Sequence, residues 1–297
     1  MKNKQERSNR PERARTAGVS ADLLKLTALI TMLIDHIGAG ILERLLIDGY
    51  VTDYTLYLKI YQLDSVLRII GRISFPIFCF LLAEGFLHTR SRRGYAFRLL
   101  VFALLSEIPF DLLFSGGFNG NSQNVFWTLL IGLLVLWGMD GVRRAFRTRE
   151  ISRMHGGACR PEKNRALWRA AEAAGILFVI ASGLWAAGFF KTDYSWRGVL
   201  LIAVIGLLMR DRLLLVIDAP CAFLFTEFLQ LFIGGRSLLS CLETVLSHMT
   251  VFVSFALIWF YNGERKRKGH RYFFYLFYPV HLLILFLFRR ILYALYG

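Results

Sequence analysis

The sequence predicts an all-α fold, a polytopic membrane helix bundle of about nine transmembrane helices, on three observations. Apolar residues make up 56% of the 297 and charged residues 19%, against about 45 to 50% and about 25% in a soluble domain, and mean hydropathy is +0.48. The apolar residues gather into runs joined by short connections, and about 20 such residues in a helix span the hydrocarbon of a bilayer. Lys and Arg alternate between the two sides of these runs, the charge pattern of a multi-pass protein.

Taken in order, the runs fall at residues 23–46, 66–87, 95–114, 125–140, 170–190, 196–209, 213–233, 243–261 and 272–295. Each is predominantly apolar, and the count becomes eight or ten if one run fails to cross or is split. The sixth is short: its 14 residues rise about 21 Å as a helix. It either stands upright in thin bilayer or is a broken, re-entrant piece.

Of the 36 Lys and Arg, 27 lie in the first 22 residues with Lys25, in 88–98, in 141–169, at Arg210 and Arg212, and in 264–271. The opposite connections hold only Lys59, Lys191, Arg197 and Arg236. Short cytoplasmic segments keep positive charge, so the N-terminus is expected in the cytoplasm. Residues 1–22 read as a basic cytoplasmic tail, 141–169 as a basic cytoplasmic loop drawn to anionic lipid, and 23–297 as one transmembrane domain. The first apolar run has spanning length behind a polar, basic start, which predicts a retained anchor rather than a cleaved signal peptide. The net charge of +15 does not point to nucleic acid, because it is spread in short runs between apolar stretches. Cys79, Cys159, Cys221 and Cys241 show neither CxxC nor metal-ligand spacing, so neither a metal nor a disulfide framework is expected.

An ionisable side chain at mid-membrane costs about 2.5 to 3.5 kcal/mol unless it faces a partner or a wet cavity, so those inside the runs carry the functional reading. Asp35 and His36 lie about half way along the first run. A carboxylate beside an imidazole fixes its tautomer and raises its basicity, as a general base requires; adjacent helical positions diverge by about 100°, so Asp35 could equally pair with another helix. The second run sets Arg68 and Arg72 four apart near its outer end and Glu84 and His88 four apart near its inner end, with Pro76 between them expected to kink a cavity-lining helix. Glu107 and Asp111 flank Pro109 in the third run and either form an ion-pair network with Arg68 and Arg72 or wall a site. Gln123 and Asn124 precede the fourth run, as amide donors to a substrate carbonyl or as a helix cap, and Asp193 precedes the sixth. Asp218, Glu227 and His248 read as packing groups. His281 follows Pro279 in the last run and could meet His36 at mid-depth.

Acyl transfer across a bilayer needs a basic cluster for the phosphates of an acyl-CoA, a base at mid-membrane and an exit toward the acceptor. Arg90, Arg92, Arg93 and Arg98 follow Glu84 and His88 where a nucleotide could be held, or are ordinary positive-inside charge. In this order, from about residue 23 to residue 290, the blocks LLKLTALITMLIDHIGAGIL, GRISFPIFCFLLAEGFLHTRS, RLLVFALLSEIPFDLLF, QNVFWTLLIGLL, DYSWRGVLLI and FYPVHLLIL resemble the TraX family of bacterial multi-pass membrane proteins. The family is named for the acetylase of the N-terminal amine of conjugative pilin. The resemblance therefore implies acetyl transfer from acetyl-CoA to an amine or hydroxyl acceptor, in the cytoplasmic (inner) membrane.

It carries Asp35, His36, Arg72, Glu84, His88, Glu107, Asp111, Asn124, Asp193 and His281 at their own motif positions. The roles expected are catalysis by His36 with Asp35 and His281, substrate binding by Arg72, Glu107, Asp111, Asn124 and Asp193, and binding of acetyl-CoA by Glu84, His88, Arg90 and Arg93. The expected partners are acetyl-CoA, membrane lipid, and a protein, glycan or small-molecule acceptor. The competing expectation is a proton-coupled transporter in which Asp35, His36, Glu107 and His281 form a relay. Transporters commonly repeat their polar positions in two halves, whereas here the charges crowd into the first three runs and the last, which favours an enzyme.

Overall fold

The first helix starts at Ser20, whose hydroxyl accepts from the amide of Leu23 at 3.3 Å, the cap that serine supplies at a helix N-terminus. The computed structural model describes residues 18–155, 162–264 and 271–296, so most of the expected basic tail lies outside the described residues. α1 (Ala21–Ile37) runs through a π-helical turn, Gly38–Leu42, into α2 (Glu43–Ile47). The chain continues as α3 (Tyr54–Gly71), α4 (Ser74–His88), α5 (Arg92–Ser115), α6 (Val125–His155) and α7 (Glu162–Phe189). It ends with α8 (Ser195–Leu208), α9 (Arg212–Ile233), α10 (Leu238–Ser247), α11 (Val251–Trp259) and α12 (Arg271–Tyr296). Among the described residues there is no sheet, only two isolated bridges between loops. The architecture is a polytopic helical bundle.

Among the described residues seven stretches are long and apolar enough to cross a membrane: Ala21–Ile47, Tyr54–His88, Val125–Thr148, Arg165–Phe189, Arg212–Ile233, Leu238–Trp259 and Phe273–Leu295. The two remaining apolar runs are helical as well, α5 with charges along its length and α8 with only 14 residues. The segment 141–169, expected as a loop, is helical on both sides, through His155 and again from Glu162. Its sequence loses apolar character at Gly141 but not helix propensity, since RRAFRTREISRMH contains no proline or glycine.

The second rod is interrupted at Arg72 and Ile73 between α3 and α4. Pro76 therefore does not kink a continuous helix as expected; it sits in the first turn of α4, where its missing N–H is not needed. Hydroxyls take carbonyls released at the break, Thr250 donating to Ile69 at 3.0 Å and Ser254 to Ile73 at 2.8 Å. Irregular backbone at membrane depth is tolerated when its polar groups are satisfied in this way. α4 lies at the centre, with Phe75, Ile77, Cys79 and Phe80 buried and neighbours on α1, α6, α8 and α11. Exposed apolar side chains such as Phe178 and Trp185 on α7 suit a surface that meets lipid.

One cation ties the bundle where α1 changes to the π turn. Arg289 on α12 is 2% exposed and donates to the carbonyls of Gly40, Leu112 and Leu113. The last two belong to the final turn of α5, whose carbonyls have no partner within the helix, so the guanidinium caps α5 and fastens it to the π turn. Arg289→Met is expected to lower stability by about 2 to 3 kcal/mol, read as a fall in the thermal transition of detergent-solubilised protein. Arg289→Lys recovers only part of the loss, because an ammonium presents its donors from a single nitrogen and lacks the planar fork that reaches both elements.

Candidate functional site

The two imidazoles meet. Nδ1 of His36 on α1 and Nε2 of His281 on α12 are 2.7 Å apart, with the rings nearly parallel, and Nδ1 of His281 lies 2.7 Å from the carbonyl oxygen of Phe277. A carbonyl only accepts, so His281 carries its proton on Nδ1 and presents Nε2 as an acceptor. His36 must then donate from Nδ1, which leaves the lone pair on its own Nε2. The carbonyl of Phe277 thus sets the tautomer of both rings.

That free nitrogen faces a carboxylate. Oδ2 of Asp35 is 4.0 Å from Nε2 of His36 and accepts from Nη1 of Arg68 on α3 at 2.7 Å. Asp35 is therefore held from another helix, one of the two arrangements its position allowed. The side chains are 12% exposed for His36 and 19% for Asp35. Gly71 permits the approach, since a Cβ there would lie 2.2 Å from the Cβ of Asp35. Next to this pair, Arg72 stands in the break between α3 and α4 with a buried Nε that has no hydrogen-bond partner. Asp64, which is not among the expected site residues, is buried on α3 with its Oδ1 unpartnered, directly opposite Gly38 of the π turn.

The connection from α7 to α8 closes one side of the cluster. Lys191, Tyr194 and Ser195 have φ of 50°, 60° and 47°, a left-handed conformation costly for residues with a side chain. Surrounding contacts impose it: Tyr194 stacks on Phe75 at 3.6 Å, Thr128 donates to the Asp193 carbonyl, and Asp193 donates its amide to the Gln123 carbonyl at 2.8 Å. Such strain persists where the surroundings over-determine it, which is common at functional sites. Burial, with the charge of Asp35 next, pushes the Asp193 carboxyl up to about 6. Beyond it Arg197 pairs with Glu227, whose other oxygen is 3.9 Å from Nε2 of His248. Glu227 and His248 are thus joined to Arg197 across α8, α9 and the α10–α11 turn; the sequence offered no signal of this, because the three lie far apart in the chain.

The other expected site residues are occupied elsewhere. Glu107 does not pair with Arg68 or Arg72, as the ion-pair expectation held; it accepts from Nδ2 of Asn124 and from Nε1 of Trp127, the latter at 3.0 Å. Asp111 accepts from the Asn119 amide at 3.0 Å. Asp35 engages Arg68, and the loop before α6 supplies neutral donors to the two acids. Asn124 is fully buried, donates also to the Ala103 carbonyl at 2.8 Å and caps α6 by accepting from Phe126 at 3.0 Å. Its amide is spent within the protein. Asn124→Ala is expected to lower stability by about 1 to 2 kcal/mol through the lost cap, measured by thermal unfolding in detergent.

At the end of the bundle where α1 begins, Glu84 accepts from the Tyr261 hydroxyl at 3.2 Å. His88 donates to the Glu84 carbonyl at 2.9 Å. Arg90 and Arg93 are exposed on the turn into α5 and line neither of two cavities at this end, of about 610 and 210 Å³. Both cavities lie instead between the second half of α6 and the end of α8, the larger also against α7 and the smaller against α4. Among the described residues no group of three His, Cys, Asp or Glu could hold a metal ion.

The family described as TraX protein matches this chain over residues 20–289, which takes in α1 to α11 whole and most of α12. The probable fimbrial assembly protein FimC, serogroup H1, of Dichelobacter nodosus is 28% identical over 289 residues, covering 92% of this chain and 96% of its own. No solved structure matches the chain. The imidazole pair, the Asp35–Arg68 bridge and the broken second rod all lie inside the matched segment, and the chain belongs to the TraX family.

Proposed function

We propose that this protein is an integral membrane acyltransferase that moves an acetyl group from acetyl-CoA to an amine or hydroxyl acceptor. The observation that supports it is the relay from the Phe277 carbonyl through His281 to His36, which leaves an unprotonated Nε2 beside the Asp35 carboxylate. In this reading Nε2 takes the proton from the acceptor as its nitrogen or oxygen attacks the acetyl carbon, and returns it to the departing thiolate when the carbon–sulfur bond breaks. Asp35 stabilises the imidazolium formed in between, Arg68 holds Asp35, and His281 orients the ring. Arg72, with an unspent buried N–H, is placed to stabilise negative charge developing on the acetyl oxygen. The donor is a substrate, and the chain's own residues do the proton transfer.

The finer topology belongs to the same proposal: nine crossings of a bacterial inner membrane, with the N-terminus and the basic end of the bundle in the cytoplasm. The name of the fimbrial relative supports an acceptor among the subunits of a surface filament. Mass spectrometry for acetyl groups on envelope proteins, in cells with and without this chain, tests the reading. A product that disappears with the protein is the expected result, and indistinguishable acetylation profiles refute it. Proton-gradient-driven uptake of a solute into proteoliposomes, with no acetylated product, would instead favour a transporter built on the same relay.

A further inference from the structure

The larger cavity, of about 610 Å³, is walled by Arg143 and Arg147 from α6, Arg165 and Arg169 from α7, and Arg210 at the end of α8. Trp168 also lines it and meets Phe146 edge to face at 5.6 Å. Glu172 is the one acid in the wall, so the lining carries a net of four positive charges. Among the described residues none of the five arginines has an ion-pair partner; Asp140 nearby is engaged by Arg92 and Arg144 instead. Positive-inside charge accounts for arginines at this end of the bundle but not for five converging on one hollow, where they repel one another until an anion enters.

The chemistry of the lining narrows the anion. Guanidinium groups fork onto phosphate oxygens better than any other side chain, and a phosphate monoester carries about −1.5 to −2 charge near neutral pH, so about two or three phosphate groups balance the wall. Aromatic faces beside the arginines suit a base that stacks. The volume exceeds what a single inorganic phosphate fills.

We propose that this cavity between α6, α7 and α8 binds a ligand with clustered phosphates, and that the ligand is the nucleotide end of coenzyme A. The identification of the nucleotide rests on the acyl-transfer reading; the phosphate site does not. A lipid with two phosphates in its headgroup presents the same clustered charge, and the experiment separates the two sources. The full chain is reconstituted in nanodiscs of phosphatidylcholine alone, and binding of coenzyme A and of dephospho-coenzyme A is measured by calorimetry, for the native protein and for Arg165→Gln with Arg169→Gln. These side chains are exposed, so the variant leaves the buried core untouched.

The expected result is that coenzyme A binds, that loss of the 3′-phosphate weakens it, and that the double variant weakens it about tenfold or more. Coenzyme A that binds equally to both proteins overturns the site. If coenzyme A fails to bind, native mass spectrometry from discs containing cardiolipin decides the source. Cardiolipin retained by the native chain and lost from the variant keeps the phosphate site and removes the nucleotide, and retention by neither or by both overturns the proposal. Binding here without any acetylated product anywhere would sink the acyl-transfer reading and leave the cavity standing. Acetylation with an unchanged KM for acetyl-CoA in the variant would do the reverse.

Discussion

His36→Ala is expected to reduce acetyl transfer by about 10²- to 10⁴-fold, the usual contribution of a positioned general base. The size follows from the tautomer argument. Of the four imidazole nitrogens only Nε2 of His36 keeps a free lone pair, because its Nδ1 donates to Nε2 of His281 and Nδ1 of His281 donates to the Phe277 carbonyl. His36→Gln retains hydrogen-bonding capacity in a similar volume but is no base, so it should fall as far as the alanine variant. His281→Ala behaves differently: it removes the acceptor that fixes the ring of His36, and the imidazole is free to turn or to carry its proton on the other nitrogen. Its loss is smaller, about tenfold to a hundredfold, and the pH–rate profile shifts because the base has lost its partner. Asp35→Asn leaves the bulk in place but removes the charge 4.0 Å from Nε2, so kcat should fall with little change in KM. The measurement is single-turnover acetylation by purified protein across pH. Full activity in His36→Ala, with a normal thermal transition, would rule the mechanism out.

The helical membrane fold was legible because hydropathy and charge bias are summed over many residues, and no single position decides them. The meeting of His36 with His281 was legible only as a possibility, since 245 residues separate them and depth alone brought them together. The pairing of acids with bases was not legible. Equal depth suggested Arg68 and Arg72 for Glu107 and Asp111, but the face each side chain presents is set by helix rotation, which the break at Arg72 and the π turn at Gly38–Leu42 both alter. The cavity at the basic end escaped the sequence for a related reason. Its arginines sit in a segment whose polarity marks it as leaving the membrane, and only the continuation of α6 and α7 as helices brings Arg143, Arg147, Arg165 and Arg169 face to face. Arg90 and Arg93, adjacent in sequence to Glu84 and His88, made the more obvious group and the less gathered one.

Gly71→Ala is expected to cripple the protein although it adds one methyl group. The new Cβ would lie 2.2 Å from the Cβ of Asp35 and 2.3 Å from its Oδ1, and the Cβ of Asp35 cannot swing away because it is fixed to the backbone of α1. One of the two helices has to move. Overpacking of this kind costs about 1 to 3 kcal/mol, and a displacement near 1 Å at a catalytic group costs about a hundredfold in rate, so activity falls further than stability. Gly141→Ala on α6, where a Cβ meets nothing within 4 Å, serves as the control and should stabilise by about 0.4 to 1 kcal/mol. Asp35→Gly combined with Gly71→Ala removes the clash at its source. If Gly71 is there to admit Asp35, the double variant regains thermal stability relative to Gly71→Ala and remains inactive, since the carboxylate beside His36 is gone. Recovery of both would mean that Asp35 only fills space between α1 and α3. Recovery of neither would mean that Gly71 serves the break in the second rod itself, where Arg72 and Ile73 leave the helix, and that the Asp35–Arg68 bridge follows from that break rather than requiring the glycine.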